Sequence, residues 1–526
     1  MLIMRRVIIY ALLMLLTNST LLSAQESADS VRHRFVSDMT YTIEAHGSLG
    51  SGDHSPLWLH SNRYGLNSSE TNSGYLRAGL FRNASADSLY RWRYGYGLDL
   101  QFAANHNSTF FVHQAYAELE WLDGRITVGS KERPMEMKNN RLSSGSMALG
   151  INARPIPQVR VELADYWPRT HGWVHVKGHI AYGMATDQNW QHDFTHRQGS
   201  YVDRMLYHSK AGFIKIGRND KPLSLEMGLE MACQFGGTSH TGNRTIKNST
   251  SLKSFWHALY PGGSDAQEVT GGWENIEGNH LGAWMARLNY NAPNWSVGIY
   301  TDHYFEDRSG FKHRVNIGYG EGDEWNVKKK KHYLLYDFRD MLLGVDLRLK
   351  KGTWLKDLTL EYNYTKYQSG PIHHMHNSVF PDRLGGGDNY YNHGTFTGWQ
   401  HWGEGIGNPL IYSPLYNDNG SINFYNNRII AYHAGIEGQP CPSFGYRMLA
   451  SWEQGWGTYS QPYTHVKRQF SFLGECSYSP QHGALKGWSG TLGIGVDSGH
   501  IIGDNFGCSL TVRKCGSLTG GKKRSK

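Results

Sequence analysis

The sequence predicts an all-β fold, a transmembrane antiparallel β-barrel of about 18 strands with long extracellular loops and short periplasmic turns. Three observations predict it: long segments of alternating polarity, aromatic residues on the apolar faces of these segments, and gaps between them that alternate in length. A strand that contacts lipid on one face and a polar lumen on the other shows this pattern.

The clearest segment is Tyr90 to Phe102, which reads YRWRYGYGLDLQF. Its even-numbered residues are aromatic or leucine, and its odd-numbered residues are arginine, glycine, aspartate or glutamine. Because alternate side chains of a strand lie on opposite faces, the segment has one apolar and one polar face. Aromatic residues crowd one end of the apolar face, as they do in the interfacial girdle of a membrane barrel.

The same alternation recurs through the chain and defines the other strands. Segmentation on this alternation predicts strands at 39–50, 75–84, 90–102, 110–121, 125–130, 157–166, 173–184, 204–217, 222–234, 281–290, 294–304, 333–350, 356–367, 427–438, 443–456, 467–478, 487–499 and 505–514. An even number of strands places both ends of a barrel on the periplasmic side.

The gaps between the predicted strands alternate between short and long. Short gaps with Asp-Gly, Asn-Asp and Ala-Pro turn sequences follow every second strand. The long gaps are 51–74, 131–156, 185–203, 235–280, 305–332 and 368–426. Short periplasmic turns and long outer loops are typical of outer-membrane barrels. The long gaps can also fold back and fill the lumen.

The N-terminus has the features of a secretory signal peptide. Arg5 and Arg6 precede an apolar run from Val7 to Leu16, and Leu22-Ser23-Ala24 forms a small-residue cleavage site. The predicted organisation is a signal peptide at 1–24, a short periplasmic segment at 25–38, the barrel with its insertions at 39–514 and a polar basic tail at 515–526. We therefore expect the protein in the cell outer membrane.

The charge gives no reason to expect a nucleic-acid partner. The formal net charge of +8 falls to +6 without the two arginines of the signal peptide. It falls to +2 without Lys522, Lys523, Arg524 and Lys526 of the tail. Five cysteines without paired spacing predict neither a disulfide framework nor a zinc site. The expected partners are surface polysaccharide and outer-membrane lipid, and the expected state is a monomeric barrel without a cofactor.

The segment 368–426 is the best candidate for a binding region. It combines many aromatic residues with carboxylates and amides, the mixture that grips sugars through ring faces and hydroxyl groups. The candidate residues are Asp388, Tyr390, Tyr391, His393, Trp399, Trp402 and Glu404, with Trp58, His60, Asn62 and Arg63 of the first long gap as secondary candidates. The alternative is that these aromatic residues pack a plug inside the barrel, and the two interpretations are compatible.

Metal and catalytic sites receive little support from the sequence. His373, His374 and His376 are clustered, but without a helical spacing or nearby cysteines they predict no metal site. Ser143 to Ser146 lacks the nucleophile elbow of a hydrolase. Glu306 and Asp307 are neighbours in sequence, whereas glycosidases need two carboxylates on opposite sides of the sugar. We therefore expect a protein that is not an enzyme and that binds no metal.

Several segments, taken in order, resemble the capsule assembly Wzi family of outer-membrane proteins in its Bacteroidetes form. They are His54–Leu66, Leu142–Val159, Gly278–Tyr290, Tyr304–Gly310, Gln368–Pro371, Gly387–Trp399 and Trp456–Pro462. The resemblance implies an eighteen-stranded outer-membrane lectin that anchors capsular polysaccharide. Enterobacterial members plug the periplasmic end with a helical bundle. This sequence shows no clear bundle, so inserts such as 131–156 or 235–280 must supply any plug.

Two other functions remain as alternatives to the lectin. A porin-like channel or transporter for saccharides would have an open lumen and would conduct ions. An outer-membrane hydrolase acting on lipid or glycan would need an activated nucleophile, which the sequence does not show.

Overall fold

Eighteen strands form one antiparallel sheet in the computed structural model, which describes residues 38–87, 91–169, 172–260, 278–306, 316–318, 328–330, 339–369 and 388–518. Strands β1 to β18 are, in order, Met39–Ser51, Ser73–Arg82, Trp92–Ala104, Phe110–Trp121, Gly124–Ser130, Gln158–Arg169, Val174–Met184, Leu206–Ile216, Leu223–Phe235, Asn279–Asn291, Trp295–Glu306, Met341–Leu349, Asp357–Tyr364, Ile429–Cys441, Phe444–Gly457, Pro462–Tyr478, Trp488–Gly499 and Asn505–Ser517. Each overlaps one predicted strand, so the predicted fold class is confirmed.

The sheet closes into a barrel because its first and last strands pair. Residues of β1 from Thr40 to Ser51 pair in antiparallel register with residues of β18 from Ser517 back to Phe506. Closure leaves the wall without a free edge, which a strand in lipid requires because no water is available to bind its backbone. Strand β18 extends to Ser517, beyond the predicted barrel end at residue 514. The predicted signal peptide at 1–24 lies outside the described residues.

The two faces of the wall have opposite polarity, as the alternation predicts. On β3, Trp92, Leu98 and Phe102 are 44%, 48% and 60% exposed. Their neighbours Asp99 and Gln101 are completely buried in the lumen. The apolar residues therefore form the lipid-facing surface, and the polar residues line the interior.

Long and short connections lie at opposite rims of the barrel. Turns such as 122–123, 217–222 and 292–294 join strands at one end, which we call the inner rim. Loops such as 52–72 and 131–157 leave the other end, the outer rim. Since outer-membrane barrels have short turns in the periplasm and long loops outside, the outer rim faces the cell exterior.

Three loop segments turn back into the barrel and fill its lumen. We call them the plug: 53–72, 131–157 and 388–428. Their apolar side chains share one core with inward residues of the wall, and this core includes Leu57, Trp58, Leu59, Leu142, Met147, Ala148, Tyr390, Tyr391, Trp399, Leu410, Ile411, Tyr412 and Phe424. Of the two inserts considered as sources of a plug, 131–156 contributes to this core. The described part of 235–280 instead packs against β8 and β9 through Phe235, Phe255 and Ala258.

Short elements within the loops were not recognised from the sequence. The described loops contain three helices, α1 to α3, at Leu57–His60, Gln188–Phe194 and Leu252–Leu259, and 3-10 turns at Ala84–Asp87 and Pro414–Tyr416. Tyr201–Asp203, Thr238–Thr241 and Arg244–Lys247 form a small sheet, while Asn316–Gly318 pairs with Lys328–Lys330 and Gln400–His401 with Glu404–Gly405. Within the described ranges, no helix has the length and apolarity needed to cross a bilayer.

The assignment of the lipid-facing surface can be tested at Leu98. We expect Leu98→Arg to lower the free energy of unfolding in phospholipid vesicles by about 2–4 kcal/mol, because it places a charge in the hydrocarbon layer. The same substitution at Leu122, which is exposed in an inner-rim turn, should cost only about 0–1 kcal/mol. Urea titrations of both variants measure the difference. Equal costs would contradict the membrane placement of β3.

Candidate functional site

The plug is hydrogen-bonded to buried carboxylates that point inward from odd-numbered strands of the wall. Asp497 Oδ2 on β17 accepts from the Leu57 amide at 3.0 Å. Glu453 Oε2 on β15 accepts from the Tyr412 hydroxyl at 2.9 Å. We call six such groups the wall carboxylates: Glu230, Asp302, Glu306, Glu361, Glu453 and Asp497.

Two wall carboxylates hold the 131–157 segment on one side of the lumen. Glu361 on β13 accepts from Ser143 Oγ at 2.5 Å and from the Ser144 amide at 2.7 Å. Asp302 on β11 forms a buried ion pair with Lys138 at 2.6 Å. Breaking such a buried pair by removing one partner costs about 3–5 kcal/mol. This segment is therefore fixed to the wall by strong polar contacts as well as by its apolar core.

Backbone amides of the plug are also bound by the wall. The Tyr391 amide donates to Glu306 on β11 at 2.6 Å, and the Leu149 amide donates to Glu230 on β9 at 3.1 Å. An irregular buried loop cannot satisfy all its amides internally, and each unsatisfied group costs about 1–3 kcal/mol. The wall carboxylates supply the acceptors that these loops lack.

Three candidate residues of the long loop lie in the plug core. Tyr390, Tyr391 and Trp399 are at most 2% exposed. The Tyr390 hydroxyl donates to Asp340 at 2.8 Å, Tyr391 donates to the Met147 carbonyl, and the Trp399 indole donates to the Ala148 carbonyl at 2.9 Å. These contacts are those of the plug-packing alternative, and they cover the ring faces in this conformation.

The first-loop candidates are split between two places. Trp58 and His60 belong to buried α1, where the Trp58 indole donates to Ser451 Oγ at 3.1 Å and the Tyr416 hydroxyl contacts His60 Nε2 at 3.0 Å. Asn62 and Arg63 line a cavity of about 380 Å³ towards the inner rim. Its lining includes Glu475, Arg447, Arg513 and Glu44. Trp58 therefore shares the plug core with Tyr390, Tyr391 and Trp399, whereas Asn62 and Arg63 lie at the inner cavity.

Trp402 occupies a strained backbone position at the outer rim. It and Gly403 form a two-residue turn between Gln400–His401 and Glu404–Gly405, and their φ angles are +59° and +82°. Positive φ at both positions is the requirement of a type I′ hairpin. A bulky residue in this conformation costs about 1–3 kcal/mol, and such strain clusters at functional sites. A side chain at Gly403 would collide with Trp190 and Leu415.

The Trp402 side chain is half-buried, and Arg154 contacts one face of its indole ring. The Arg154 guanidinium lies 4.8 Å from the Trp402 ring and 3.4 Å from the Phe111 ring. The Trp402 indole N–H donates to Thr186 Oγ1 at 3.3 Å, and Asn107 Nδ2 donates to the Trp402 carbonyl. Trp402 is thus a rigidly positioned aromatic side chain with part of its surface open.

The remaining polar candidates differ in accessibility. Asp388 and His393 are half-buried, and His393 Nδ1 accepts from the Thr395 amide at 3.0 Å. Burial lowers the pKa of His393 to about 4, so its ring is neutral at neutral pH. Glu404 is fully enclosed and accepts from Asn152 Nδ2 at 3.2 Å and Ser413 Oγ at 3.3 Å.

An asparagine-rich turn beside Trp402 was missed by the sequence analysis. Asn417 Nδ2 donates to the Asn423 carbonyl at 2.7 Å, and Asn419 Nδ2 donates to the Tyr425 hydroxyl at 3.0 Å. The turn packs on the end of α2 at Gly420, and Leu415 connects it to the Trp402 hairpin. The signal that could have identified it is the run NDNGS at 417–421, which combines amide side chains with turn-forming residues.

A group with metal-ligating atoms is occupied by an arginine. Ligand atoms of Asp99, His113 and Glu132 lie within 4.8 Å of one another. Arg77 Nε donates to Asp99 at 3.0 Å and Arg77 Nη2 donates to Glu132 at 3.2 Å, so a guanidinium already neutralises the carboxylates. We interpret the group as an ion-pair network. His373, His374 and His376 lie outside the described residues.

The segments considered for catalysis have structural contacts. Ser143 and Ser144 bind Glu361, as described above. The Tyr304 hydroxyl donates to Glu306 Oε1 at 2.7 Å, and Asp307 lies outside the described residues. These contacts use the serine and glutamate groups to hold the plug.

Comparison with known proteins gives a family match and a structural match. The family model described as capsule assembly protein Wzi matches residues 42–324. The chain is similar in structure to Wzi of Escherichia coli, which is described as an outer membrane protein involved in group 1 capsule assembly and as a carbohydrate-binding β-barrel. That match has 13% identity and a TM-score of 0.53 and covers 93% of this chain and 89% of the other. The likeness supports the barrel fold and, with the family match, a location in the outer membrane.

Two Pseudomonas aeruginosa proteins are also similar at lower scores. OpdO has 9% identity and a TM-score of 0.45, with coverage of 93% of this chain and 100% of the other. OprD has 8% identity and a TM-score of 0.42, with coverage of 92% and 96%. The comparison with curated proteins gives no significant match.

Two buried carboxyl groups outside the eighteen strands of the wall make the plug sensitive to pH. Burial raises the pKa of Glu404 to about 7 and that of Asp340 to about 7. Between about pH 4.5 and pH 7, folded Glu404 keeps a proton that the unfolded chain releases. Raising the pH through this window therefore lowers the free energy of unfolding, by up to about 1.4 kcal/mol per pH unit for each group.

We expect hydrogen exchange in 388–428 to be better protected at pH 5.5 than at pH 8, after correction for intrinsic rates. Glu404→Gln should reduce this difference, because a neutral amide can keep the contacts with Asn152 and Ser413 at both pH values. The matched control is Glu70→Gln, which changes an exposed carboxyl group of the first loop. If the protection of 388–428 differs between pH 5.5 and pH 8 as much in Glu404→Gln as in the wild type, Glu404 does not cause the pH dependence.

Proposed function

Because the chain belongs to the capsule assembly protein Wzi family, we propose that it is a lectin-like outer-membrane barrel that binds and anchors capsular or surface polysaccharide. The observation that carries the proposal is the Trp402 hairpin at the outer rim. Its strained backbone holds a half-buried indole against the Arg154 guanidinium. An indole face can cover the apolar face of a sugar ring.

We propose that polar contacts to the sugar come from the surface around Trp402. The turn from Asn417 to Tyr425 offers exposed amides and a tyrosine. It packs on the end of helix α2, close to the Trp402 hairpin. Amide groups both donate and accept hydrogen bonds, so they can bind the hydroxyl groups of a sugar. Asp388 and His393 are half-buried candidates for further contacts.

The buried candidates have a different role in this proposal. Tyr390, Tyr391, Trp399, Glu404 and Trp58 hold the shape of the plug, so that Trp402 and the asparagine-rich turn keep their positions. Arg63 attaches the first loop to the wall through Glu475. His60 attaches it to the long loop through Tyr416, and Asn62 attaches it to the 131–157 segment through Asn152 and Ser144. A contact between any of these residues and sugar would require the plug to rearrange.

Retention of polysaccharide would result from many weak contacts. A polymer of repeating sugars offers each barrel many equivalent sites, and each cell carries many barrels. Multivalent attachment raises overall affinity by about 10²–10⁴ without new contacts, provided the geometry allows simultaneous binding. The proposal therefore requires only modest affinity for a single repeat, and neither a covalent bond nor catalysis.

We further propose that residues 1–24 direct export and are removed, and that the mature barrel is a monomer in contact with outer-membrane lipid. The Bacteroidetes form of the family stays a prediction that rests on the resemblant segments. The closed wall supports the proposal of a monomer, because β1 and β18 pair with each other and leave no strand edge to which a second barrel could pair.

The role of Trp402 is testable with short oligosaccharides from the host strain's own surface polysaccharide. We expect Trp402→Ala to lower their affinity by about 10- to 30-fold, since a tryptophan anchor commonly contributes about 2 kcal/mol. Oligosaccharides are used because avidity to the polymer would mask the loss at one site. Calorimetry on purified protein in detergent gives the affinity, and thermal unfolding shows whether the barrel is intact.

Two other tryptophans serve as controls for this experiment. Trp354→Ala removes an indole that is 72% exposed at the inner rim and should leave both binding and stability unchanged. Trp399→Ala should destabilise the plug by about 3–5 kcal/mol, because it removes a completely buried side chain. If Trp402→Ala binds the oligosaccharides as well as the wild type, the proposed site is wrong.

A further inference from the structure

Two cations lie side by side on the lipid-facing side of the outer rim. Lys366 follows β13 and Arg428 precedes β14, and the Arg428 Nε–H donates to the Lys366 carbonyl at 3.2 Å. The pairing of Tyr364 with Ile430 continues to these residues, which places both on the outward face. We call Lys366 and Arg428 the rim cations.

The rim cations lie over aromatic rings at the end of β15 and in the connection that follows it. Lys366 Nζ is 4.1 Å from the centre of the Trp456 ring, and the Arg428 guanidinium is 3.9 Å from the centre of the Tyr459 ring. The Tyr459 hydroxyl donates to the Tyr367 carbonyl at 2.8 Å. These ring contacts hold both side chains against the outer rim and reduce the conformational entropy that an anion would have to remove on binding.

Among the described residues, no carboxylate is paired with either rim cation. Partial burial and the neighbouring Arg428 guanidinium lower the pKa of Lys366. In the part of the chain that the structure describes, the ion pairs include neither residue. Adjacent like charges destabilise each other, and an external anion placed between them would remove this repulsion.

An aromatic row on the outward face indicates how far the rim cations lie from the hydrocarbon layer of the membrane. Tyr362 and Tyr432 are cross-strand neighbours with ring centres 5.4 Å apart, and Tyr432 lies 6.0 Å from Trp452. Phe470 pairs with Trp452 on the next strand. Such a row marks the boundary between hydrocarbon and headgroups. Arg428 lies four residues above Tyr432 along β14, or about 13 Å of strand, which reaches the headgroup layer.

We propose that the rim cations bind the phosphate of a glycolipid in the outer leaflet of the outer membrane. An ammonium and a guanidinium side by side can donate several charge-assisted hydrogen bonds to one phosphate. The aromatic row below them contacts the acyl chains of the same molecule. This site is separate from the Trp402 surface and does not depend on the polysaccharide proposal. It would hold the barrel, at a defined height, against the lipid that surrounds it.

The test uses the full-length barrel in phospholipid nanodiscs that contain bisphosphorylated lipid A, with native mass spectrometry as the measure of bound lipid. Lys366→Gln together with Arg428→Gln should weaken retention by about 30-fold, because each cation near a membrane surface contributes roughly a factor of five. Dephosphorylated lipid A should bind the wild type as weakly as bisphosphorylated lipid A binds the double variant.

A matched control exists at the opposite rim. Lys514 lies 5.4 Å from the Trp488 ring, so Lys514→Gln removes a similar cation from the inner leaflet side and should leave retention unchanged. Undiminished retention by the double variant would overturn the proposal. Equal retention of phosphorylated and dephosphorylated lipid A by the wild type would also overturn it. So would a double variant that loses surface oligosaccharide but keeps lipid A.

Discussion

The plug stays in the barrel because buried carboxylates of the wall accept hydrogen bonds from its loops. A closed barrel of this size has a wide polar lumen, and irregular loops that enter it carry many amides without partners. Glu230, Glu306, Glu361 and Asp497 bind such amides directly. Asp302 binds the ammonium of Lys138 instead. Without these acceptors, the apolar core of the plug would have to offset the cost of every unsatisfied group.

One alternation of side chains therefore serves two purposes. The outward residues of each strand are apolar and contact lipid, while the inward residues of the same strand include the carboxylates that hold the plug. The plug in turn fixes the outer surface, since the Trp402 hairpin is tied to Asp187 and Arg154 at its base. A strained backbone at Trp402 persists only because its surroundings are rigid. The position of the Trp402 hairpin at the outer rim thus depends on polar contacts deep in the lumen.

The barrel was predictable from sequence because period-two alternation repeats in every strand and turn residues mark alternate gaps. All eighteen strands were found, including β12, of which 341–349 is described. The loops carry no comparable periodicity, so the positions of Tyr390, Trp399 and Glu404 inside the plug could not be derived. Aromatic and polar residues side by side have the same composition in a sugar site and in a packed plug. Only the contacts with Asp340, Ala148 and Asn152 distinguish them.

Conductance of the purified protein in planar lipid bilayers tests the closed, plugged barrel most directly. We expect no steady current from the wild type. We expect frequent openings from a variant with Glu361→Ala and Glu453→Ala, in which the plug loses two of its attachments to the wall. Openings from the variant would also show that the barrels have inserted into the bilayer. Steady stepwise conductance from the wild type would contradict the account and would favour a channel for saccharides.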